Sequence, residues 1–279
     1  MKLAVISDIH GNFKALEAFL EYLESHPADR ILCLGDYVTD SPYPQRTMEL
    51  LYEMCSRYRC VMIRGNREEY LLENSRRDQG WKRSSPSGAL YYTAENLTRR
   101  DLAFFERMPL VEKLEPAGLP AITLCHGTPD EIRGNLEETP ELKTEVMRKL
   151  DTPYLLGGHS HHQEQDTVLG KTYVNPGSLG LAIDGKGKCA QFAVLTGAKG
   201  RWETEFVSIP YDADSFLQDF TISRLDEYGM ILNRAVKKTV ASGINYFYLC
   251  IQEVQRRCPG PLSEIPEDIW QEAAVKLEI

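Results

Sequence analysis

The sequence predicts an α/β protein of the mixed α+β type, and three features of the 279-residue chain support this class. Short apolar runs alternate with segments whose apolar residues recur every three or four positions, as in strands followed by helices. Glycine and polar residues follow the runs directly, as expected where strands end. The last part of the chain lacks such runs and has only the helical pattern.

The first 63 residues predict three strands with helices between them. The apolar runs place strands at Lys2–Ser7, Arg30–Leu34 and Cys60–Ile63. Helical spacing places one helix at Asn12–Leu23 and another at Pro44–Tyr58. This alternation is typical of a parallel sheet with crossover helices.

The middle of the chain begins with a helical region. Residues Glu68–Met108 have helical periodicity, broken at Gly80 and at the turn-forming stretch Ser84–Gly88. Further apolar runs then predict a second set of strands. These are Ala121–Cys125, Tyr154–Leu156, Lys171–Val174, Ala190–Leu195 and Trp202–Ile209.

Beyond Pro210 the pattern predicts helices only, at Asp214–Val240, Ile244–Arg257 and Glu267–Leu277. We therefore divide the chain into a domain of residues 1–210 and a helical C-terminal extension of residues 211–279. The apolar face of this extension suits three roles: packing on its own domain, covering a crevice, or joining two subunits. The pattern does not choose among them, and the oligomeric state stays open.

Composition narrows the class of protein. Hydrophobic residues make up 42% and charged residues 26%, the usual range for a globular protein, and the net charge of −9 argues against a broad nucleic-acid-binding surface. Asp8 and His10 interrupt the first apolar run too early for a secretory signal or a membrane span. The seven cysteines have no CxxC spacing and are expected to be reduced thiols. A cytoplasmic protein without membrane contact is therefore expected.

Polar residues suited to metal binding follow five successive predicted strands. Because the carboxyl ends of strands in an open α/β sheet face one crevice, these residues are expected to converge. Only six histidines occur in the chain, and four of them belong to this set. The set consists of Asp8, His10, Asp36, Asn66, His126, His159 and His161.

Mixed carboxylate, amide and imidazole ligands indicate which metals the site would take. Such donors suit manganese best, and also iron, zinc or nickel, whereas calcium prefers oxygen alone. Two cations about 3.5–4 Å apart would screen a phosphate ester and turn a water into hydroxide. Asp36 is the best candidate to bridge them, since it is a carboxylate with ligand pairs on both sides in the chain.

Five motifs in order resemble the calcineurin-like metallophosphoesterase superfamily over roughly residues 1–210. They are Asp8-x-His10, Gly35-Asp36, Gly65-Asn66, His126-Gly127 and Gly158-His159-x-His161. Two further segments, Asn175–Ser178 and Ala89–Leu110, resemble smaller bacterial phosphodiesterases and relatives of diadenosine tetraphosphatases.

The resemblance implies a fold and a mechanism. The fold would be a four-layer αββα sandwich with two mixed sheets. One metal would be held by Asp8, His10 and His161, the second by Asn66, His126 and His159, with Asp36 shared. A metal-bridging hydroxide would attack a phosphodiester or nucleotide polyphosphate bond of a small phosphorylated substrate. The residues expected to act in catalysis are Asp36, Asn66, Arg67 and His126.

The chain departs from the superfamily at Arg67, where many members have the proton-donating His of Gly-Asn-His. Arginine stays charged and cannot act as an acid at neutral pH, but it can clamp a phosphate oxygen. We therefore expect substrates with acidic leaving groups, such as nucleoside polyphosphates. Two alternatives remain. In the first, Arg67 has no catalytic role and pairs with a surface carboxylate. In the second, the chain is a non-catalytic protein-binding scaffold, like the retromer subunit of similar fold, which also lacks this His.

Other residues near the motifs have simpler interpretations. Asn12 is expected to cap the following helix. His162 is expected to be exposed, and Tyr91-Tyr92 is assigned to the core rather than to nucleobase stacking. The turn beginning at Asn175 is expected to brace the site without touching substrate.

Overall fold

The computed structural model describes all residues from Met1 to Ile279. Apolar runs flanked by glycine and polar residues form the strands, and amphipathic segments form the helices. A short 3₁₀ helix, Leu262–Glu264, precedes the last helix. In chain order the other elements are β1 (Lys2–Ile6), α1 (Phe13–Ser25), β2 (Arg30–Cys33), α2 (Pro44–Arg57), β3 (Cys60–Met62), α3 (Asn66–Arg76), α4 (Gly88–Asn96), α5 (Arg99–Glu106), β4 (Val111–Leu114), β5 (Ile122–Cys125), α6 (Pro140–Lys149), β6 (Tyr154–Leu156), β7 (Gln163–Val168), β8 (Lys171–Pro176), β9 (Cys189–Ala198), β10 (Arg201–Pro210), α7 (Ala213–Ile222), α8 (Leu225–Ser242), α9 (Tyr246–Arg257) and α10 (Glu267–Leu277).

The strands form two mixed sheets of five strands each. The first has the order β10-β9-β1-β2-β3, and the second has the order β4-β5-β6-β8-β7. The strands β1, β2 and β3 run parallel to one another, as do β5, β6 and β8. The carboxyl ends of these six strands therefore lie at one edge of the two sheets, which is where ligand sites form in such folds.

The two sheets pack face to face, and helices cover both outer faces. Along β1, Leu3 and Val5 point into the core between the sheets, whereas Ala4 and Ile6 point toward the core under α1 and α2. This alternation follows from the two-residue period of a strand. On the far side, α6 packs on the second sheet. The four-layer αββα sandwich expected from the sequence is confirmed.

Three elements are not predicted by the sequence pattern: β4, β7 and α6. The strands β4 and β7 lie at the two edges of the second sheet. Their sequences, VEKL and QEQDTV, are largely polar because one side of an edge strand faces solvent. The helix α6 has a capping Thr139 and a proline at its first turn, signals that were available in the sequence.

The segment Asp214–Val240 is helical as predicted, but it is not continuous. The structure has two helices, α7 and α8, separated at Ser223 and Arg224, where Arg224 has a positive φ of 62°. A second irregularity lies inside α8 at Met230, with φ 43°. The region Glu68–Met108 forms three helices. The first break contains the predicted turns at Gly80 and Ser84–Gly88, whereas the second break, at Leu97 and Thr98, is not predicted.

The C-terminal helices pack on the sandwich and on one another. One apolar cluster, which includes Phe216, Phe220 and Val236, packs against Phe13 of α1 and Tyr92 of α4. A second cluster, which includes Ile231, Cys250 and Trp270, joins α8, α9 and α10. Packing on its own domain, one of the three expected roles, is confirmed, whereas the boundary at residue 210 stays a prediction.

None of the helices is both long and apolar enough to cross a bilayer. All seven cysteines are free thiols, as expected from their spacing. The cytoplasmic location stays a prediction.

Candidate metal centre

The expected ligands lie in loops that follow the carboxyl ends of the strands. Because β1 and β2 are parallel and end side by side, the loop after β1 runs along the loop after β2. The amide of Asp8 donates to the carbonyl of Gly35 at 3.0 Å, and the amide of His10 donates to the carbonyl of Asp36 at 2.9 Å. In the second sheet, the amide of Gly158 donates to the carbonyl of His126 at 2.7 Å. The strand register thus brings distant motifs together.

Five of the seven expected ligands have a left-handed backbone conformation, which non-glycine residues seldom adopt. Such conformations persist only where the surrounding contacts enforce them, and they concentrate at functional sites. The five residues and their φ angles are Asp8 (55°), His10 (49°), Asp36 (55°), His159 (66°) and His161 (64°).

Two glycines allow the loop after β2 to touch the loop after β3. A β-carbon on Gly35 would lie 2.3 Å from the amide nitrogen of Gly65, and a β-carbon on Gly65 would lie 2.2 Å from Oδ1 of Asp36. Only glycine fits at either position without displacing backbone. The close approach lets the amide of Arg67 donate to Oδ1 of Asp36 at 2.8 Å.

One group of ligands surrounds Asp8. Its Oδ1 atom lies 3.6 Å from Nε2 of His10 and 3.2 Å from Nε2 of His161. The two imidazole nitrogens are themselves 3.1 Å apart. Oδ1 of Asp8 is buried and has no hydrogen-bond partner. These three residues form one candidate cation site.

A second group surrounds His126. Its Nε2 atom lies 3.1 Å from Oδ1 of Asn66, and its ring centroid lies 5.2 Å from that of His159. Oδ2 of Asp36 lies between the two groups, 3.7 Å from Nε2 of His10 and 3.5 Å from Nε2 of His126. Asp8, Asp36 and His126 form a second candidate cation group. The expected ligands therefore meet at one centre, whereas their division into two sets stays a prediction because Asp8 belongs to both groups.

Three of the histidines are oriented by a contact between Nδ1, the ring nitrogen that points away from the centre, and a nearby oxygen atom. Nδ1 of His126 lies 2.8 Å from the carbonyl of Leu34, and Nδ1 of His161 lies 3.0 Å from the carbonyl of Leu181. Because a carbonyl only accepts, Nδ1 must donate, and in the neutral ring Nε2 presents its lone pair to the centre. Nδ1 of His10 is held in the same way by Asp40, at 3.0 Å. This arrangement is typical of metal-binding histidines.

The donor set fits divalent cations. Two acceptor atoms 3.1 Å apart, as in His10 with His161 and in His126 with Asn66, repel each other unless a proton or a cation lies between them. The unpartnered Oδ1 of Asp8 also indicates a cation, because burying a carboxylate oxygen without a partner is costly. The residues present therefore fit divalent cations bound at this centre.

Burial and charge shift the titration of these groups in the metal-free protein. Burial alone would raise the pKa of Asp8, but the charges of His161 and His126 hold it well below its usual range. The pKa of Asp36 is lowered for the same reason, chiefly by His126. Burial opposes protonation of His10 and His126, yet Asp40, Asp8 and Asp36 raise their pKa values to about 9 and about 10.

Asp40 is a site residue that sequence reasoning missed. It is buried, with a φ of 65°, and its Oδ2 accepts from Nδ1 of His10 at 3.0 Å and from Nη2 of Arg67 at 2.9 Å. Burial opposes ionisation of Asp40, but the charge of Arg67 keeps its pKa below the usual value. Its position in a loop rich in Ser, Thr and Pro is typical of a turn, so the sequence gives no sign of this role.

Arg67 lies at the edge of the centre rather than on the surface. Its partner is the buried Asp40, so the prediction of a pair with a surface carboxylate is wrong. Its Nε is buried and has no hydrogen-bond partner, and lies 4.0 Å from Oδ2 of Asp36. A guanidinium has five N–H donors, so Arg67 keeps donors for a ligand.

The centre opens into a cleft of about 440 Å³. His10, Asp36, Asn66, Arg67, His159 and His161 line its floor, together with Asp40. The C-terminal helices also line this cleft, with Val236 and Thr239 of α8 and Phe247 and Tyr248 of α9. The extension therefore also covers the crevice, the second of its expected roles.

The supporting residues behave largely as expected. Asn12 caps α1 by accepting from the amide of Ala15 at 3.0 Å. The side-chain amide of the buried Asn175 donates to the carbonyl of Gly158 at 2.9 Å and braces the loop of His159 and His161. His162 is exposed and pairs with Glu137. In the tyrosine pair, Tyr92 is buried and Tyr91 is half-buried.

The fold and this arrangement of ligands define a metallophosphoesterase-type protein, and comparison with known proteins agrees. Residues 1–200 match the calcineurin-like phosphoesterase superfamily domain. The chain belongs to the calcineurin-like phosphoesterase superfamily. The chain is also 27% identical over 241 residues to the uncharacterized protein MJ0912 of Methanocaldococcus jannaschii, an alignment that covers 81% of this chain and 94% of the relative.

Two solved structures share the fold. The hypothetical protein PH1004 from Pyrococcus horikoshii superimposes with a TM-score of 0.72 at 20% identity, covering 87% of this chain and 98% of that chain. A metallophosphoesterase from Sphaerobacter thermophilus superimposes with a TM-score of 0.68 at 22% identity, covering 88% of this chain and 100% of that chain. At this level of identity, the likeness concerns the fold.

Proposed function

We propose that the chain is a dinuclear metal-dependent phosphoesterase that hydrolyses phosphodiester or nucleotide polyphosphate bonds of a small phosphorylated substrate. One cation is held by Asp8, His10 and His161, and the other by Asn66, His126 and His159. Manganese suits this donor set best, with iron, zinc or nickel as alternatives. When bound, the two cations would screen the phosphate and supply the nucleophile.

The observation that carries this proposal is the position of Asp36. One oxygen, Oδ2, lies 3.7 Å from Nε2 of His10 and 3.5 Å from Nε2 of His126. A single carboxylate between two sets of donors is what a two-metal site requires. The amide of Arg67 and the packing of Gly65 hold this carboxylate in place.

The remaining roles follow from the positions of the side chains. Arg67 lines the cleft with an unpartnered Nε, so it would donate to a phosphate oxygen and stabilise charge in the transition state. No histidine follows Asn66, and Arg67 cannot supply a proton to a leaving group. Substrates with acidic leaving groups are therefore favoured, which suits nucleotide polyphosphates and aryl diesters.

A non-catalytic scaffold is the alternative, and it is less well supported. It would leave the buried Oδ1 of Asp8 without a hydrogen-bond partner and without a cation to offset the cost of its burial. The cleft of about 440 Å³ also has the size of a small-molecule site.

The test combines metal content with hydrolysis. Purified protein loaded with manganese is expected to hold two equivalents by plasma mass spectrometry and to hydrolyse bis-p-nitrophenyl phosphate and diadenosine tetraphosphate, with activity lost in EDTA. Asp36→Asn is expected to lower both metal content and turnover. His26→Ala, an exposed histidine at the end of α1, is the matched control and should change neither.

A scaffold would give a different outcome: less than one equivalent of metal, or full metal content with no turnover of any ester in a panel that also includes p-nitrophenyl phosphate and cyclic nucleotides. Either result would exclude the proposed reaction.

A further inference from the structure

Part of the cleft lining is built by α8 and α9, which lie outside the segment matched to the superfamily. Phe247 and Tyr248 are consecutive residues on the first turn of α9, and both line the cleft. Tyr248 is 56% exposed, so its ring is available to a ligand at the rim. Phe247 is half-buried and lies deeper.

The aromatic wall begins directly beside the phosphate clamp. The ring centroid of Phe247 lies 5.7 Å from the guanidinium carbon of Arg67. A phosphate that accepts from Arg67 would therefore lie near Phe247, and Tyr248 is the next residue of the same helix. Buried Val236 and Leu181 extend the apolar surface.

Two amide groups on the rim remain available for hydrogen bonds. The Oδ1 atoms of Asn135 and Asn245 accept from the amides of Glu137 and Tyr248, at 2.9 and 3.0 Å. Their Nδ2 groups have no partner within the chain, and both residues line the cleft. An apolar, aromatic wall with a few polar groups is the usual composition of a small-molecule subsite.

We infer that Phe247 and Tyr248 form a base-binding subsite, so that the substrate is a phosphate ester carrying a flat aromatic group, with a nucleotide as its natural example. The inference rests on the proposed function, because the phosphate of the ligand is taken to lie at Arg67 and the cations. Aromatic side chains bind bases by stacking, and this tolerates different bases. The cleft volume of about 440 Å³ is large enough for a nucleotide.

The experiment compares two ligands that differ only in the base. Adenosine 5′-monophosphate and ribose 5-phosphate are titrated into the manganese-loaded full chain by calorimetry. The wild-type protein is expected to bind the nucleotide about tenfold more tightly, the effect of stacking one base. Phe247→Ala and Tyr248→Ala should remove most of this preference without weakening ribose 5-phosphate.

Leu249→Ala is the matched control. This residue is on the same turn of α9, is 37% exposed and does not line the cleft, so the preference for the nucleotide should stay. The Tyr248→Ala variant is expected to fold normally, because the exposed ring of Tyr248 contributes little to the core. It therefore tests the inference even if Phe247→Ala does not fold. Equal binding of the two ligands by the wild-type protein would overturn the inference, as would a nucleotide preference that survives both substitutions.

The two proposals fail in different ways. If bis-p-nitrophenyl phosphate is hydrolysed but the base makes no difference to binding, the subsite is wrong and the phosphoesterase stands. If the base preference depends on Phe247 but no ester is hydrolysed, the subsite stands and the reaction is wrong.

Discussion

Oδ2 of Asp40 lies 2.9 Å from Nη2 of Arg67, and this ion pair is shielded from solvent. The same oxygen lies 3.0 Å from Nδ1 of His10. One carboxylate thus orients both an expected metal ligand and the residue proposed to clamp phosphate. Loss of its charge should affect metal binding and substrate binding together, because both side chains depend on the same acceptor.

We expect Asp40→Asn to weaken manganese binding by about tenfold, the lower end of the effect of removing an outer partner of a metal-binding histidine. The amide keeps the shape of the side chain but not its charge. Titration of free manganese by electron paramagnetic resonance measures the affinity. Asp214→Asn, an exposed carboxylate paired with Lys188, is the control and should bind normally. Unchanged affinity in Asp40→Asn would show that Asp40 does not position His10.

Arg67→Ala should lower kcat/KM for bis-p-nitrophenyl phosphate by about 100-fold, the usual cost of removing one group that stabilises the transition-state charge. Arg67→His should narrow the gap between this substrate and diphenyl phosphate, because imidazole can donate a proton to the poorer leaving group. Steady-state kinetics on both esters measure this. Arg148→Ala on α6, which is exposed, is the control. An unchanged ratio in Arg67→His would contradict the proposed reason for the acidic leaving group.

The pKa values of His10 and His126 are raised to about 9 and about 10. They predict that the stability of the metal-free protein falls as the pH rises, whereas the stabilisation by bound metal increases. In the metal-free protein both exceed the ordinary histidine value, so the stabilisation from the protonated forms is complete below about pH 6.5. It is lost as the pH rises through about 9 to 10. Metal binds the neutral imidazoles, so its stabilising effect instead grows with pH.

Thermal melts at pH 7 and pH 9, each in EDTA and in manganese, check this prediction. The Tm in EDTA should fall at the higher pH, and the gap between the metal-loaded and metal-free protein should widen. His26→Ala should show the same pattern. A gap that is equal at both pH values would mean that metal binding does not displace protons from these histidines.

Gly65→Ala should prevent assembly of the centre, because its β-carbon would lie 2.2 Å from Oδ1 and 2.4 Å from the amide nitrogen of Asp36. Forcing the two loops apart is expected to cost about 1–3 kcal/mol in the free energy of unfolding. It should also reduce manganese binding. Urea denaturation and metal content measure the two effects.

Gly80→Ala separates the steric cost from a general effect of replacing glycine. Gly80 has a φ of 68° and open space around it, so the substitution should cost only about 1 kcal/mol of backbone strain and leave metal binding intact. If Gly65→Ala behaved like Gly80→Ala, the close approach of the two loops would not matter for the site.

The sequence predicts the inner strands well because both of their faces are buried. Leu3 and Val5 face one core and Ala4 and Ile6 another, so β1 is a continuous apolar run. The edge strand β7 has no such run, and only pairing with β8 makes it a strand. Neither glycine nor proline occurs at the break between α7 and α8 at Arg224, and the helical spacing of apolar residues in the sequence continues across it. The sequence therefore does not predict this break.

The ligands could be predicted for a similar reason, since each follows a recognisable strand with a characteristic motif. Asp40 could not, because its partners His10 and Arg67 are distant in sequence and become neighbours only through the loop packing. The aromatic wall could not be predicted either. The helical spacing around Phe247 and Tyr248 predicts a helix that packs on its neighbours, but it does not indicate that these two residues line the cleft.

The placement of α9 also bears on biosynthesis. Phe247 and Tyr248 follow every expected metal ligand in the chain, the last of which is His161. A nascent chain therefore contains all of these ligands before α9 is made, and a product that ends before α9 would lack this wall of the cleft.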